Sequence, residues 1–315
     1  MLRRGGLVLA VLSAATFSLS GALGSSLLAA GWTPGSAIIA RLGVASVALS
    51  PFAIAQLRGR WALLRQSGLS LAMYGIVAIA GCQVFYFNAI THLSVAVALL
   101  LEYLATVLIV GWLWLRHGQR PRPGTIAGSA SAIGGLVLVL NLASAHRVDP
   151  VGVMWALAAM VCLAGYFIFS ASLSTLPPMV LACGGAWVAT IVLVLLGIVG
   201  LLPLRAPLVD VTLFNNRLSW VVPVLGLSLV ATVIAYVTGI GAARALGPKV
   251  SSFVGLSEVL FAVMFAWILL GQVPAPVQFV GGVFMLAGVA LVRVDDLYSE
   301  RDFSGSEPRA ANSGK

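Results

Sequence analysis

Three ionisable side chains, Arg41, Glu102 and Glu258, stand inside long apolar runs of this chain. A carboxylate or guanidinium at the centre of a bilayer costs roughly 2.5–3.5 kcal/mol on insertion scales, so such groups face a partner, a packed interior or water. Two carboxyls in that setting can exchange protons or hold a cationic group, because loss of water favours the protonated form of an acid. Arg41 could hold an anion. The alternative is structural: an ion pair or hydrogen bond, in which Arg41 takes part, that only ties helices together. At helical spacing Glu102 shares a face with Ala98, Ala105 and Thr106, and Glu258 with Ser251, Gly255 and Ala262. Small neighbours allow close helix approach or leave room for solvent, which favours an inward orientation over a lipid-facing one. Gln83, Tyr86 and Asn88 in one apolar run, with Thr232, Tyr236 and Thr238 in another, are weaker candidates for a cavity lining. Hydrogen bonds between helices would explain them equally well.

The elements that must position these groups follow from composition. Of 315 residues, 60% are hydrophobic and only 9% charged, and the mean hydropathy is +1.06. Soluble domains carry about 25% charged residues, and disordered chains lack this apolar content. The runs are long and continuous rather than alternating, which excludes a barrel. They read as an all-α integral membrane protein, since each crossing needs about 20 apolar residues with its backbone bonds satisfied internally. Ten spans are expected, near Leu7–Leu27, Gly35–Leu57, Ser70–Ala89, Val95–Leu115, Gly124–Leu142, Val151–Leu173, Met179–Leu201, Leu218–Gly241, Ser251–Leu270 and Val277–Arg293. With the N-terminus inside, fourteen Lys and Arg fall on the cytoplasmic side and three (Arg147, Arg205, Arg217) outside. That asymmetry puts both termini in the cytoplasm.

Several classes are excluded by the same residues. The net charge of +9 reflects topology rather than nucleic-acid binding, because no loop is long enough to form a basic domain. Arg3-Arg4 and the apolar run after them resemble a cleavable leader, yet are read as a retained first span. Trp32, Trp112, Trp114 and Trp220 fall near span ends as interfacial anchors. The cysteines Cys82, Cys162 and Cys183 lie in apolar runs and offer neither a disulfide framework nor a metal pair. His92, His117 and His146 lie in loops, and no nucleophile motif, zinc motif or nucleotide cradle occurs, so neither enzyme chemistry nor a cofactor is expected. Sixteen Arg against two Lys suggest a GC-rich bacterial genome and hence a plasma-membrane location.

The chain also repeats itself. Glu102 aligns with Glu258, Leu-Leu-Leu-Glu102-Tyr-Leu-Ala over Gly-Leu-Ser-Glu258-Val-Leu-Phe, and Ala89-Ile90 over Ala245-Leu246. After a three-residue adjustment Gly118-Gln119 matches Gly271-Gln272, Gly128 matches Gly281 and Gly135 matches Gly288. Repeats over 1–142 and 151–293, each of five spans, must insert in opposite senses, because five is odd. Residues 294–315 are polar and expected to form a disordered cytoplasmic tail. Inverted repeats are an architecture of secondary transporters, with the substrate site near the midplane.

The runs Ala15-Thr-Phe-Ser-Leu-Ser-Gly21, Gly31-Trp-Thr-Pro-Gly35 and Ala40-Arg41-Leu resemble the opening of EamA-type members of the drug/metabolite transporter superfamily. Leu101-Glu102-Tyr-Leu-Ala and Ser257-Glu258-Val-Leu-Phe-Ala through Leu270-Gly-Gln272 extend the resemblance over about residues 7–293. The chain departs from the pattern at Thr106 and Val259, near which the family often has Pro, and at Gln272, where it often has Glu. The resemblance implies a secondary active transporter, a proton-coupled exporter of amino acids or related metabolites, using Glu102, Glu258 and Arg41. A carrier of cationic toxins and a non-transporting scaffold are the alternatives. The implied partners are a small-molecule substrate, protons and lipid, with a monomer or a homodimer both open.

Overall fold

The computed structural model describes residues 2–93, 95–118, 121–139, 149–173, 175–213, 216–270 and 275–305. The first half holds α1 (Leu2–Phe17), α2 (Leu19–Ala29), α3 (Pro34–Leu57), the short α4 (Trp61–Gln66) and α5 (Gly68–Met73). A π-helical segment, π1 (Tyr74–Gly81), continues α5 into α6 (Cys82–His92), followed by α7 (Val95–Tyr103), α8 (Ala105–His117) and α9 (Pro123–Val139). The second half holds α10 (Pro150–Ser172), α11 (Pro178–Ile198), strands β1 (Val211–Leu213) and β2 (Asn216–Leu218), and α12 (Val221–Leu225). A second π segment, π2 (Gly226–Ile234), leads into α13 (Ala235–Gly255), then α14 (Ser257–Leu270) and α15 (Pro276–Gly305). Six helical stretches among the described residues are long and apolar enough to cross a bilayer, and Pro123–Leu138 and Pro276–Val292 are shorter apolar helices.

Local chemistry sets the boundaries. Proline opens α3, α10 and α11 within the first two positions, where its missing N–H breaks no helical bond. Asp149 caps α10 by accepting from the Val151 N–H at 2.9 Å, and its second oxygen meets His92 Nδ1 at 2.9 Å. The Val151 bond first, and His92 with it, hold this exposed carboxyl below its ordinary range. Gly118 ends α8 in the left-handed conformation, with φ of 65°. The loop expected between the eighth and ninth spans shrinks to a kink at Gly247, whose φ of 77° suits glycine and which Pro248 follows. Arg244, beside that kink, donates to the carbonyls of Leu173 (2.7 Å) and Ser170 (3.3 Å) and so satisfies the C-terminal end of α10.

The fold is mostly helical, consistent with an all-α membrane protein, and carries one two-stranded sheet. Three finer expectations need correction. Leu218, taken as the start of a helix, pairs with Val211 in an antiparallel hairpin, and the helix begins at Val221. The hairpin persists because Val211 and Leu213 alternate inward onto Leu23, Leu27 and Trp32. Trp32 is accordingly no lipid anchor: its indole donates to the Pro207 carbonyl at 2.9 Å and its ring lies 5.9 Å from Trp220. Finally, α15 continues through Gly305, so helix replaces the disorder expected for 294–305. Residues 306–315 lie outside the described residues, as do Gln119, Gly271, Gln272, His146 and Arg147.

Helices α9 and α15 pack through their glycines. Gly128 lies against the Gly288 carbonyl and Gly135 against the Gly281 carbonyl. The pairing order is reversed between the two helices, so they run antiparallel. Gly124-Thr-Ile-Ala-Gly128 therefore serves packing within the chain, and Asp295 of α15 accepts from the Thr125 N–H and hydroxyl at the N-terminal turn of α9. A Cβ at Gly288 would meet the backbone of Ala132 and Gly128, whereas one at Gly134 would meet nothing within 4 Å. We predict that Gly288→Ala destabilises by about 1–3 kcal/mol through overpacking, while Gly134→Ala is neutral or stabilising by up to about 1 kcal/mol. Thermal unfolding of the purified proteins in detergent compares the two.

Candidate functional site: a cavity walled by both halves

A cavity of about 190 Å³ lies among α1, α2, α3, π1–α6 and α7 of the first half and α10, α13 and α14 of the second. One buried water needs about 10–15 Å³ of such space, so the cavity has room for a small metabolite. Its wall is mostly apolar and aromatic. Phe17 meets Tyr236 edge-on at 5.1 Å, Tyr236 lies 5.7 Å from Tyr166, and Tyr166 stacks on Tyr74 at 6.2 Å. Glycine at 239 and 255 lets Tyr166 and Phe167 approach α13.

Arg41 projects from α3 into this wall and is only 2% exposed. All three guanidinium nitrogens are engaged by neutral acceptors. Nε donates to Thr232 Oγ1 (2.6 Å), Nη1 to Gln83 Oε1 (3.1 Å) and Nη2 to the Ala231 carbonyl (2.6 Å). Ala231 lies in π2, where i→i+5 bonding replaces the regular ladder, and its carbonyl keeps a lone pair for the guanidinium. Thr232 shows the same register, its hydroxyl donating to the Leu227 carbonyl five residues earlier at 2.7 Å. The Phe17 ring lies 5.9 Å from the guanidinium carbon, a cation–π distance. Among the described residues, no ion pair joins Arg41 to either glutamate.

Glu102 on α7 and Glu258 on α14 both line the cavity. Each carboxyl has one oxygen held by a neutral donor. The Cys82 thiol donates to Glu102 Oε1 at 3.3 Å, and the Tyr103 hydroxyl to Glu258 Oε2 at 2.6 Å. Among the described residues, no hydrogen bond is found to the second oxygen of either carboxyl. Tyr103 thus belongs to one half and serves the carboxyl of the other. Gln83, Tyr86 and Tyr236 also line the cavity, with Gln83 Nε2 donating to the Tyr236 hydroxyl at 3.4 Å. Thr232 lies behind the wall, under Arg41. Asn88 is turned back onto its own helix, donating to the Val84 carbonyl at 2.7 Å, and lies outside the lining.

Sequence reasoning missed Cys82, Tyr103, Phe17 and Tyr166. Tyr103 follows Glu102 directly, and adjacent helical residues point in different directions, so no spacing rule could pair it with Glu258. Cys82 looked like one more small apolar residue. No group of three or more His, Cys, Asp or Glu that could hold a metal occurs among the described residues.

A cavity lined by one carboxyl from each half, inside a bundle whose helices α9 and α15 cross antiparallel, is the arrangement of a membrane carrier. The chain belongs to the EamA-like transporter family, whose model matches residues 4–141 and 150–294, within the drug/metabolite transporter superfamily. It is a multi-pass plasma-membrane transporter. It is 28% identical over 274 residues to the probable terminal-alkyne amino-acid exporter of Streptantibioticus cattleyicolor, covering 84% of this chain and 86% of that protein. It is 26% identical over 236 residues to the uncharacterized transporter YwfM of Bacillus subtilis, covering 70% and 72%. A solved crystal structure shares the fold with a TM-score of 0.74 at 22% identity, over 95% of this chain and 99% of that one.

Removing the guanidinium would leave Thr232, Gln83 and the Ala231 carbonyl short of their donor in a buried setting. We predict that Arg41→Met lowers stability by at least about 2 kcal/mol, the scale of lost hydrogen bonds to a charged group. Arg41→Lys should restore only part of it, because an ammonium lacks the planar fork that spans three acceptors. Unfolding midpoints in detergent measure both.

Proposed function

We propose that this transporter is a proton-coupled exporter of small metabolites, amino acids or related compounds, in which two inverted five-span repeats alternate access to the cavity between them. The observation that carries the reading is the pair of glutamates, one from each repeat, that line one cavity. A group exchanged between substrate and proton must be reachable from the cavity and removed from bulk water, and both glutamates meet that requirement. The antiparallel crossing of α9 and α15, whose glycines are equivalent in the repeat, supports opposite insertion of the halves. The excess of basic residues on one side supports ten spans with both termini in the cytoplasm. Export of an amino acid is further supported by the name of the S. cattleyicolor relative.

Coupling then works through competition. A proton entering from outside occupies a carboxyl as substrate leaves, and moving one charge inward across 100 mV supplies about 2.3 kcal/mol. Arg41 acts in this scheme as the tie between α3 and π2 and keeps the cavity wall in register. Cationic toxins are the second reading, favoured by the same two glutamates and the aromatic wall.

The test is transport by purified protein in liposomes, first counterflow across a panel of labelled amino acids, then uptake driven by an imposed pH gradient. Glu102→Gln and Glu258→Gln are expected to reduce gradient-driven transport by at least about tenfold and to flatten its pH dependence at unchanged protein level. Normal transport with wild-type pH dependence in both variants overturns the proposal.

A further inference from the structure

The connection between α3 and α5 carries Arg58, Arg60 and Arg65, all exposed. Among the described residues, none of their guanidinium groups meets a protein acceptor or a carboxylate. The first acidic residue of the chain is Glu102, in the cavity, so the segment has no acid of its own. Other arginines on the side assigned to the cytoplasm are spent within the protein. Arg244 donates to the carbonyls of Leu173 and Ser170, and Arg122 is engaged as well. Membrane topology asks only that basic residues be present on one side and does not account for how these three are arranged. Gly59, with φ of 75°, turns the chain at the end of α3 and sets Arg58 and Arg60 on either side of the turn. In α4, Leu63 and Leu64 pack against the core cluster that contains Leu57 and Leu71. Trp61, 51% exposed, and Arg65 one turn later share an outward face. The segment thus rests on the bundle by its apolar side and presents an indole among three guanidinium groups. The matching connection of the second half, between α11 and α12, is instead folded onto the protein through Pro207, Val211 and Leu213.

We propose that Arg58, Arg60, Trp61 and Arg65 form a docking surface for the phosphate headgroup of an anionic phospholipid. The apolar helix α3 is long enough to cross the bilayer, so the residues just past its end at Leu57 fall at the level of the lipid headgroups. A guanidinium holds phosphate through paired N–H donors, and tryptophan settles at the same depth. Each basic side chain near an anionic surface is worth about fivefold in affinity. A free phosphate compound would gain the charge but nothing from the indole, which favours the lipid. Placement in the cytoplasmic leaflet rests on the ten-span reading above; the chemistry of docking does not. Helix α5 runs directly into π1 and α6, which supply Ala78, Cys82, Gln83 and Tyr86 to the cavity wall. A bound headgroup therefore steadies the root of a cavity-lining helix.

Native mass spectrometry of the full-length protein in detergent counts bound lipid. Dioleoyl phosphatidylglycerol is the probe, dioleoyl phosphatidylcholine the control with the same chains and no net charge, and glycerol 3-phosphate the headgroup without chains. Phosphatidylglycerol is expected to bind about tenfold or more tightly than phosphatidylcholine, with no competition from glycerol 3-phosphate at equal concentration. The combined variant Arg58→Gln, Arg60→Gln, Arg65→Gln should lose about tenfold or more in affinity for phosphatidylglycerol. Its unfolding midpoint in lipid-free detergent should not change, because the side chains removed are exposed and contact no partner. Arg205→Gln with Arg217→Gln, exposed arginines of the α11–α12 connection, is the charge control and should leave the affinity unchanged.

Equal affinity for the two lipids overturns the proposal, as does undiminished phosphatidylglycerol binding in the combined variant or an equal loss in the Arg205 and Arg217 control. Competition by glycerol 3-phosphate at equal concentration makes this a site for a free phosphate compound and overturns the lipid assignment. The topology reading fails separately. Labelling of Arg58→Cys by a membrane-impermeant maleimide added to intact cells would put this surface outside and leave docking itself standing. The native cysteines are buried and do not compete for the label.

Discussion

A full positive charge enclosed by apolar helices has to be solvated by the protein itself, and Arg41 is where that requirement shapes the molecule. Its solvation shell is made of a threonine hydroxyl, a glutamine oxygen and a backbone carbonyl. The carbonyl belongs to π2, and its second lone pair lets it accept from the guanidinium. The bond also crosses between halves, from α3 to the segment leading into α13. The same contact therefore organises the wall of the cavity.

The glutamates obey the same physics with a different outcome. Each accepts from one neutral donor and lines the shared cavity. Tyr103 reaching Glu258 makes the second half's carboxyl dependent on a side chain of the first half. Movement of one half against the other would alter that bond, and so the setting of the acid. Close packing at α9 and α15 supplies the contrasting element, a glycine seam in which backbone meets backbone and where small residues permit the approach.

Much of the fold was legible from the sequence, and the exceptions have physical causes. Bilayer thickness imposes a length on every apolar run, so the helices at Pro34–Leu57, Pro150–Ser172 and Pro178–Ile198 fell close to expectation. The breaks at Ser18, Leu104 and Leu256 were invisible, since hydropathy does not change where an apolar helix is interrupted. The hairpin was missed because Val211 and Leu213 form too short an alternation to stand out beside a long apolar run. In the site, Glu102, Glu258 and Arg41 announced themselves by being charged in the wrong solvent. Tyr166 and Tyr103 did not, since an aromatic residue in a membrane helix has many uses and only its neighbours select one.

The sequence by itself determined that this chain crosses a membrane many times, that its halves are related, and which three charges sit inside. Those properties follow from one-dimensional constraints of bilayer thickness, the cost of charge in hydrocarbon and spacing along a chain. Only the tertiary structure decided what each charge touches: Arg41 bound to the protein's own oxygens, and the carboxyls turned to a shared space. Hydrogen bonds depend on direction and on distances of a few ångströms between residues 20 to 191 positions apart, and no pattern along the chain encodes them.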